Sequence, residues 1–97
     1  MGKNDHVVYM LKCNDSTLYT GYTNDLSKRL HMHESGKGAK YTRGRGPFRV
    51  EYIQRFPTKE EALKKEYAIK QLSKRKKEHL ISTYKQGVRQ DENTKEL

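Results

Sequence analysis

Glu66 is the residue most at odds with its neighbours in the sequence. Ala62, Leu63, Ile69 and Leu72 form an apolar stripe at helical spacing, and on a wheel of about 100° per residue Glu66 falls between Ala62 and Leu63. An unpaired carboxylate on a core-facing side is costly, so it calls for a metal, a hydrogen-bonding network or a neighbouring cation, the last being the plainer solution. Tyr9 and Tyr19 fall on neighbouring strands of an expected hairpin, and the following Gly21 has no side chain to keep a backbone or ligand away. Either tyrosine alone is ordinary sheet packing. Arg29 carries a permanent charge on a planar fork of donors suited to phosphate. His33, one turn on and about 40° away on the wheel, shares an inner face with Leu26 and Leu30, where a histidine is either a satisfied core group or a catalyst. His31 points roughly 200° from His33, so the two cannot hold one ion.

These residues need elements to position them. His6 to Cys13 reads as a strand with Val7, Tyr9, Leu11 and Cys13 on one face and Val8 and Met10 on the other; with both faces apolar, it is expected at the centre of a sheet. Asn14 to Thr17 supplies a turn, and Leu18 to Thr23 returns as the second strand. Thr23 or Asn24 is expected to cap a helix that runs to about Glu34 and stops at Gly36. Gly36 to Pro47 reads as a loop, and Phe48 to Phe56 as a third strand with Phe48, Val50 and Tyr52 on one side and Ile53 on the other. Thr58 and Glu61 match a capping box and open a helix to about Leu72; Ser73 caps a last one through roughly Thr83. The fold class is therefore α/β in the α+β sense, a small three-stranded antiparallel sheet flanked by about three helices. Residues 6–83 form the single domain and 84–97 a frayed or disordered polar tail.

Size and charge narrow the function classes. A chain of 97 residues, 32% hydrophobic and 34% charged, builds one small core, so any site is a surface cleft. No apolar run is long enough to span a bilayer and the amino terminus lacks a signal-peptide core, so a cytoplasmic protein without a membrane partner is expected. The single Cys13 excludes an internal disulfide and is expected to pack in the core. The net charge of +9 lies wholly outside the balanced tail. Lys37, Lys40, Arg43, Arg45 and Arg49 occur without an acid between Gly36 and Arg49, which points to nucleic acid bound by the folded surface.

Taken in order, Val7-Val8-Tyr9, Tyr19-Thr20-Gly21, Arg29 and a helical Glu66 resemble the GIY-YIG (URI domain) endonuclease family, over about residues 6–81. Leu18 to Leu26 and Gly36 to Gly44 look like its small stand-alone bacterial members. The resemblance implies a phosphodiesterase site with one divalent ion, Mg²⁺ or Mn²⁺, held by Glu66. It implies that Tyr9 positions or deprotonates the attacking water, that Tyr19 holds water or phosphate, and that Arg29 stabilises charge on the phosphate. His33 matches a position where some members keep a histidine, and Gly21 would be structural at the site. Departures are Val7 and Val8 in the first motif, Tyr22 where many members carry lysine or histidine, and no asparagine between Asn24 and Asn93.

The expected function is a metal-dependent endonuclease hydrolysing phosphodiesters, acting on DNA in preference to RNA, structure-selective or non-specific, and suited to repair or recombination. With no separate recognition domain in the sequence, a protein partner is a possible source of specificity. The alternative is a DNA- or RNA-binding module that keeps the fold without turnover.

Overall fold

β1 (His6–Lys12) lies between β2 (Leu18–Thr23) and β3 (Arg49–Phe56), antiparallel to both, in a sheet of order β2-β1-β3. The computed structural model describes the backbone of residues 5–96 and the side chains of residues 5–87. Central placement follows from apolar residues on both faces of β1: Val7, Val8, Tyr9, Met10 and Leu11 are all buried. The helices are α1 (Leu26–Glu34), α2 (Lys59–Lys70) and α3 (Lys74–Glu96), with a 3₁₀ turn at Lys40–Thr42 inside the expected loop. Three strands and three helices give the expected α+β class.

Val8 and Met10 face α2 and α3, where Tyr52, Ala62, Ile69 and Ile81 complete the main core. The opposite face of β1 carries Tyr9 toward α1 and the 3₁₀ turn. Asp25, rather than Thr23 or Asn24, is the cap of α1 and accepts from the Lys28 amide; Thr23 instead accepts from the Asp25 amide and shapes the turn before it. Thr58 caps α2 by accepting from the Glu61 amide, while Glu61 returns to the threonine hydroxyl and not to its backbone. Ser73 accepts from the Lys76 amide at the start of α3.

β3 departs from simple alternation. Met10 pairs with Tyr52 and Leu11 with Val50, so Glu51 is an extra residue and Val50 and Tyr52 face opposite sides instead of sharing one. The bulge turns Glu51 inward to 4% exposure, where it pairs with Lys85 of α3. Tyr84 meanwhile stacks edge-on against Tyr52, ring centroids 5.2 Å apart. Tyr84 and Lys85, past the boundary expected at residue 83, pack on β3, and α3 continues to Glu96. Where a frayed or disordered tail was expected from residue 84, the backbone is helical to Glu96; residues 1–4, residue 97 and the side chains beyond residue 87 lie outside the described residues. Among the described residues, no helix is long and apolar enough to cross a membrane.

Candidate active site

Gly21 stands opposite Tyr9 in the β1–β2 ladder, and the Tyr9 ring lies where a side chain at residue 21 would be. A Cβ built there would fall 2.5 Å from the Tyr9 hydroxyl oxygen and 2.9 Å from Tyr19 Cε2. The pairing register is regular at this point, so Gly21 is a cradle for the two tyrosines and not a bulge.

The Tyr9 hydroxyl is 2.8 Å from His33 Nε2, and His33 Nδ1 is 2.9 Å from Thr42 Oγ1. Thr42 Oγ1 also lies 2.9 Å from the Ala39 carbonyl, to which it donates. Its one proton is thereby used, so Thr42 accepts from His33 Nδ1–H, and the neutral imidazole presents a bare Nε2 that accepts the Tyr9 proton. Burial, and then the Arg29 cation, push the His33 pKa below its usual range and favour this neutral form. Gly38 closes the pocket from the loop, because a Cβ there would sit 2.5 Å from His33 Nδ1. Tyr19 and Phe48 meet the imidazole edge-on, with centroids 5.3 and 6.0 Å away.

Arg29 borders the inner stripe of α1, and its guanidinium lies against the hydroxyls of Tyr9 and Tyr19, which hold its pKa up. Tyr9 is fully buried, and desolvation pushes its pKa up to about 12 despite the opposing effect of Arg29; Tyr19 and Glu66 add to the rise. A phenol in this setting is protonated at neutral pH. Any proton that Tyr9 receives must be matched by one passed on, and His33 Nε2 is the acceptor in place.

Glu66 comes from α2, which packs on the Val8 and Met10 face of the sheet. Ala62 and Ile69 are buried while Leu63 is 39% exposed, so the core-facing direction is centred nearer Ala62 than expected and Glu66 borders it. Its side chain is 18% exposed and pairs with Lys70 one turn on at 3.1 Å, the plainer of the solutions open to a carboxylate there. Tyr9, Tyr19, Arg29 and His33 thus form one cluster in two layers, while Glu66 pairs with Lys70 and reaches the cluster only through its charge, which adds to the rise in the Tyr9 pKa. Tyr9 and His33 lie beneath, while Tyr19, Arg29 and Glu66 reach solvent. Among the described residues no three His, Cys, Asp or Glu side chains are grouped to hold a metal ion.

Tyr22 does not belong to the cluster. It pairs with Val8, packs against the main core and hydrogen-bonds His6 Nδ1 at 2.8 Å. The basic loop is divided as well. Lys37, Lys40 and Arg43 are exposed, whereas Arg45 pairs with Asp15 and covers the Tyr41 ring at 4.7 Å. Arg49 lies beside Lys12 at the end of the sheet, lining a separate cleft with Pro47 and Phe48. Cys13 is buried and free. The sequence does not connect Thr42, Gly38 or Tyr41 with the cluster, although the Gly36 to Gly44 segment that holds them carries part of the resemblance.

The GIY-YIG catalytic domain matches residues 5–86. A UPF0213 protein of Oceanobacillus iheyensis is 59% identical over 81 residues, spanning 84% of this chain and 94% of the relative. The solution structure of the UPF0213 protein BH0048 from Bacillus halodurans is similar at 59% identity and a TM-score of 0.56, covering 80% of this chain and 83% of that one. That of EF2693 from E. faecalis is similar at 41% identity and a TM-score of 0.58, with 81% and 84% covered. With its family match spanning residues 5–86 and relatives at 59% identity on the same sheet fold, the chain belongs to the GIY-YIG catalytic domain family.

Proposed function

We propose that this chain is a metal-dependent endonuclease that hydrolyses phosphodiesters in DNA, structure-selectively or without sequence preference. The carrying observation is the directed hydrogen-bond chain from Tyr9 through His33 to Thr42, beside the partly exposed Tyr19 and Arg29. In this reading Arg29 meets a non-bridging phosphate oxygen with its donor fork and stabilises the charge that builds in the transition state. Tyr9 is fully buried beneath it, so the attacking water reaches the hydroxyl only if Arg29 shifts outward on meeting the phosphate. Tyr9 takes a proton from the attacking water while its own passes to His33 Nε2, and Thr42 holds the imidazole in the tautomer that accepts it. Tyr19 fixes the water or a phosphate oxygen.

Glu66 would hold the divalent ion. A single carboxylate, partly open to solvent, fits Mg²⁺ or Mn²⁺, hard ions that keep most of their waters and take a phosphate oxygen. When bound, the ion supplies Lewis-acid stabilisation of the phosphate and the leaving oxygen. Junctions of the kind that repair and recombination generate are the substrates to try.

The test is incubation of labelled branched, flapped, nicked and plain duplex DNA with Mg²⁺ or Mn²⁺, in parallel with Glu66→Ala. Metal-dependent cleavage lost in the variant supports the reading. Cleavage equal in the two proteins, or absent from both, refutes it and leaves the binding module.

A further inference from the structure

The loop from Gly36 to Pro47 brings Tyr41 and Thr42 to the candidate active site, yet four of its residues are glycines. Such a loop has much backbone freedom to lose and needs anchors. Thr42 is one, through His33, and Arg45 is another. The Arg45 guanidinium pairs with Asp15 in the turn between β1 and β2 and lies over the Tyr41 ring at 4.7 Å. Its main chain is held at the same place: the Arg45 carbonyl accepts from the Asn14 amide at 2.8 Å, and the Arg45 amide donates to the Thr42 carbonyl at 3.1 Å. Asp15 is itself fixed, because its other carboxylate oxygen accepts from the amide and the hydroxyl of Thr17, at 3.2 and 2.6 Å. Tyr41 in turn stacks on Tyr19, with centroids 6.0 Å apart, and Tyr19 meets the His33 imidazole edge-on.

We propose that Arg45 is a positioning residue: clasped by Asp15, it holds Tyr41 against Tyr19 and Thr42 against His33, and so keeps Tyr19 and the His33 tautomer set for the reaction. The inference rests on the nuclease reading and adds to it a residue that touches neither the water nor the phosphate. By sequence Arg45 belongs with Lys37, Lys40, Arg43 and Arg49 as a cation for nucleic acid. Among the described residues it is the one of these five that stands in an ion pair. A guanidinium committed to a carboxylate and a ring has little left to offer a phosphate. Without the clasp the exposed Tyr41 is free to turn out, and Tyr19 loses the ring stacked on it. An ion pair between two such exposed partners adds little to global stability, so its effect falls on the local order of the loop. A misplacement of about 1 Å is enough to slow a positioned reaction on the order of a hundredfold.

The experiment compares the native protein with Arg45→Met and Arg45→Lys on whichever of the branched, flapped, nicked and plain duplex DNAs the native protein cuts. Arg45→Met is expected to lower kcat about 10- to 100-fold, with KM, the urea midpoint and the salt dependence of DNA binding unchanged. Arg45→Lys keeps a cation for Asp15 and Tyr41 and is expected to recover most of that rate. In NMR spectra taken without DNA or metal, the signals of the Tyr19 ring and of His33 Nδ1–H, both one step removed from Arg45, are expected to shift in Arg45→Met. A fall of about 0.9 in the slope of log affinity against log salt, the value for one phosphate contact on a duplex, would make Arg45 a binding residue and overturn the proposal. An unchanged kcat, or a rate lost only in step with the urea midpoint, overturns it too, and in each of these cases the nuclease reading stands. If the native protein cuts none of the DNAs, the nuclease reading falls and the NMR comparison decides the clasp alone: shifted Tyr19 and His33 signals support it, and unshifted ones overturn it.

Discussion

The two faces of β1 are equally buried and built on opposite principles. Val8 and Met10 look into a core of Tyr52, Ala62, Ile69 and Ile81, where non-directional apolar contact dominates and no residue needs a particular protonation state. Tyr9, between them in sequence, looks into a pocket where each polar atom has a named partner and each proton a direction. The first face tolerates exchange of similar volumes. The second tolerates almost none, because a buried donor left without its acceptor costs more than the bond contributed. One strand therefore carries stability on one side and chemistry on the other.

The sharpest separation comes from the partly exposed edge of the cluster. Glu66→Ala is expected to lower metal-dependent cleavage on the order of 10³-fold or more while changing stability by no more than about 0.5 kcal/mol, the range for partly exposed polar positions. Cleavage kinetics and urea unfolding of the same preparation check both halves.

Met10→Ala should do the converse. Truncating a fully buried methionine costs about 2–5 kcal/mol, yet the fraction that remains folded should cut as the native protein does. A fall in activity per folded molecule would mean that the core face also tunes the site.

Gly21→Ala lies between these extremes. The added methyl overlaps the Tyr9 ring, so roughly 1–3 kcal/mol of stability is expected to go, as for other overpacked sites, and the Tyr9–His33 bond with it. Loss of activity with the Tyr9 side-chain resonances unshifted in NMR spectra would contradict this account.

The smallest effect concerns pH. His33 has a lower pKa folded than unfolded, so as pH falls the unfolded chain takes up its proton first. Stability is full above about pH 6.5, the unfolded value, and declines below it. Urea midpoints across pH 5–8 should show the decline in the native protein and a flatter curve in His33→Gln.

The sequence carried much of this. Central placement of β1 follows from its two apolar faces, and the caps at Thr58 and Ser73 from short-range hydrogen bonding that any chain with those residues adopts. Capping at Asp25 was harder to read, because Thr23, Asn24 and Asp25 are all competent caps and only the turn geometry selects one. The bulge at Glu51 left no trace in the alternation. A charged residue reads as solvent-facing until a remote cation, here Lys85 more than thirty residues on, makes its burial tolerable.

The candidate site divides in the same way. Residue types and spacings offered Tyr9, Tyr19, Arg29, His33 and Glu66 as candidates beside plainer structural roles, and the family resemblance is what drew them into one set. Only the tertiary structure decided that Tyr9 lies under Arg29 instead of facing solvent, that Lys70 answers Glu66, and that Thr42 sets the tautomer of His33. Spacing along a helix or strand fixes directions within an element, because backbone geometry repeats. Depth, protonation and partnership depend on which distant elements close over a residue, and that is settled by packing of the whole chain.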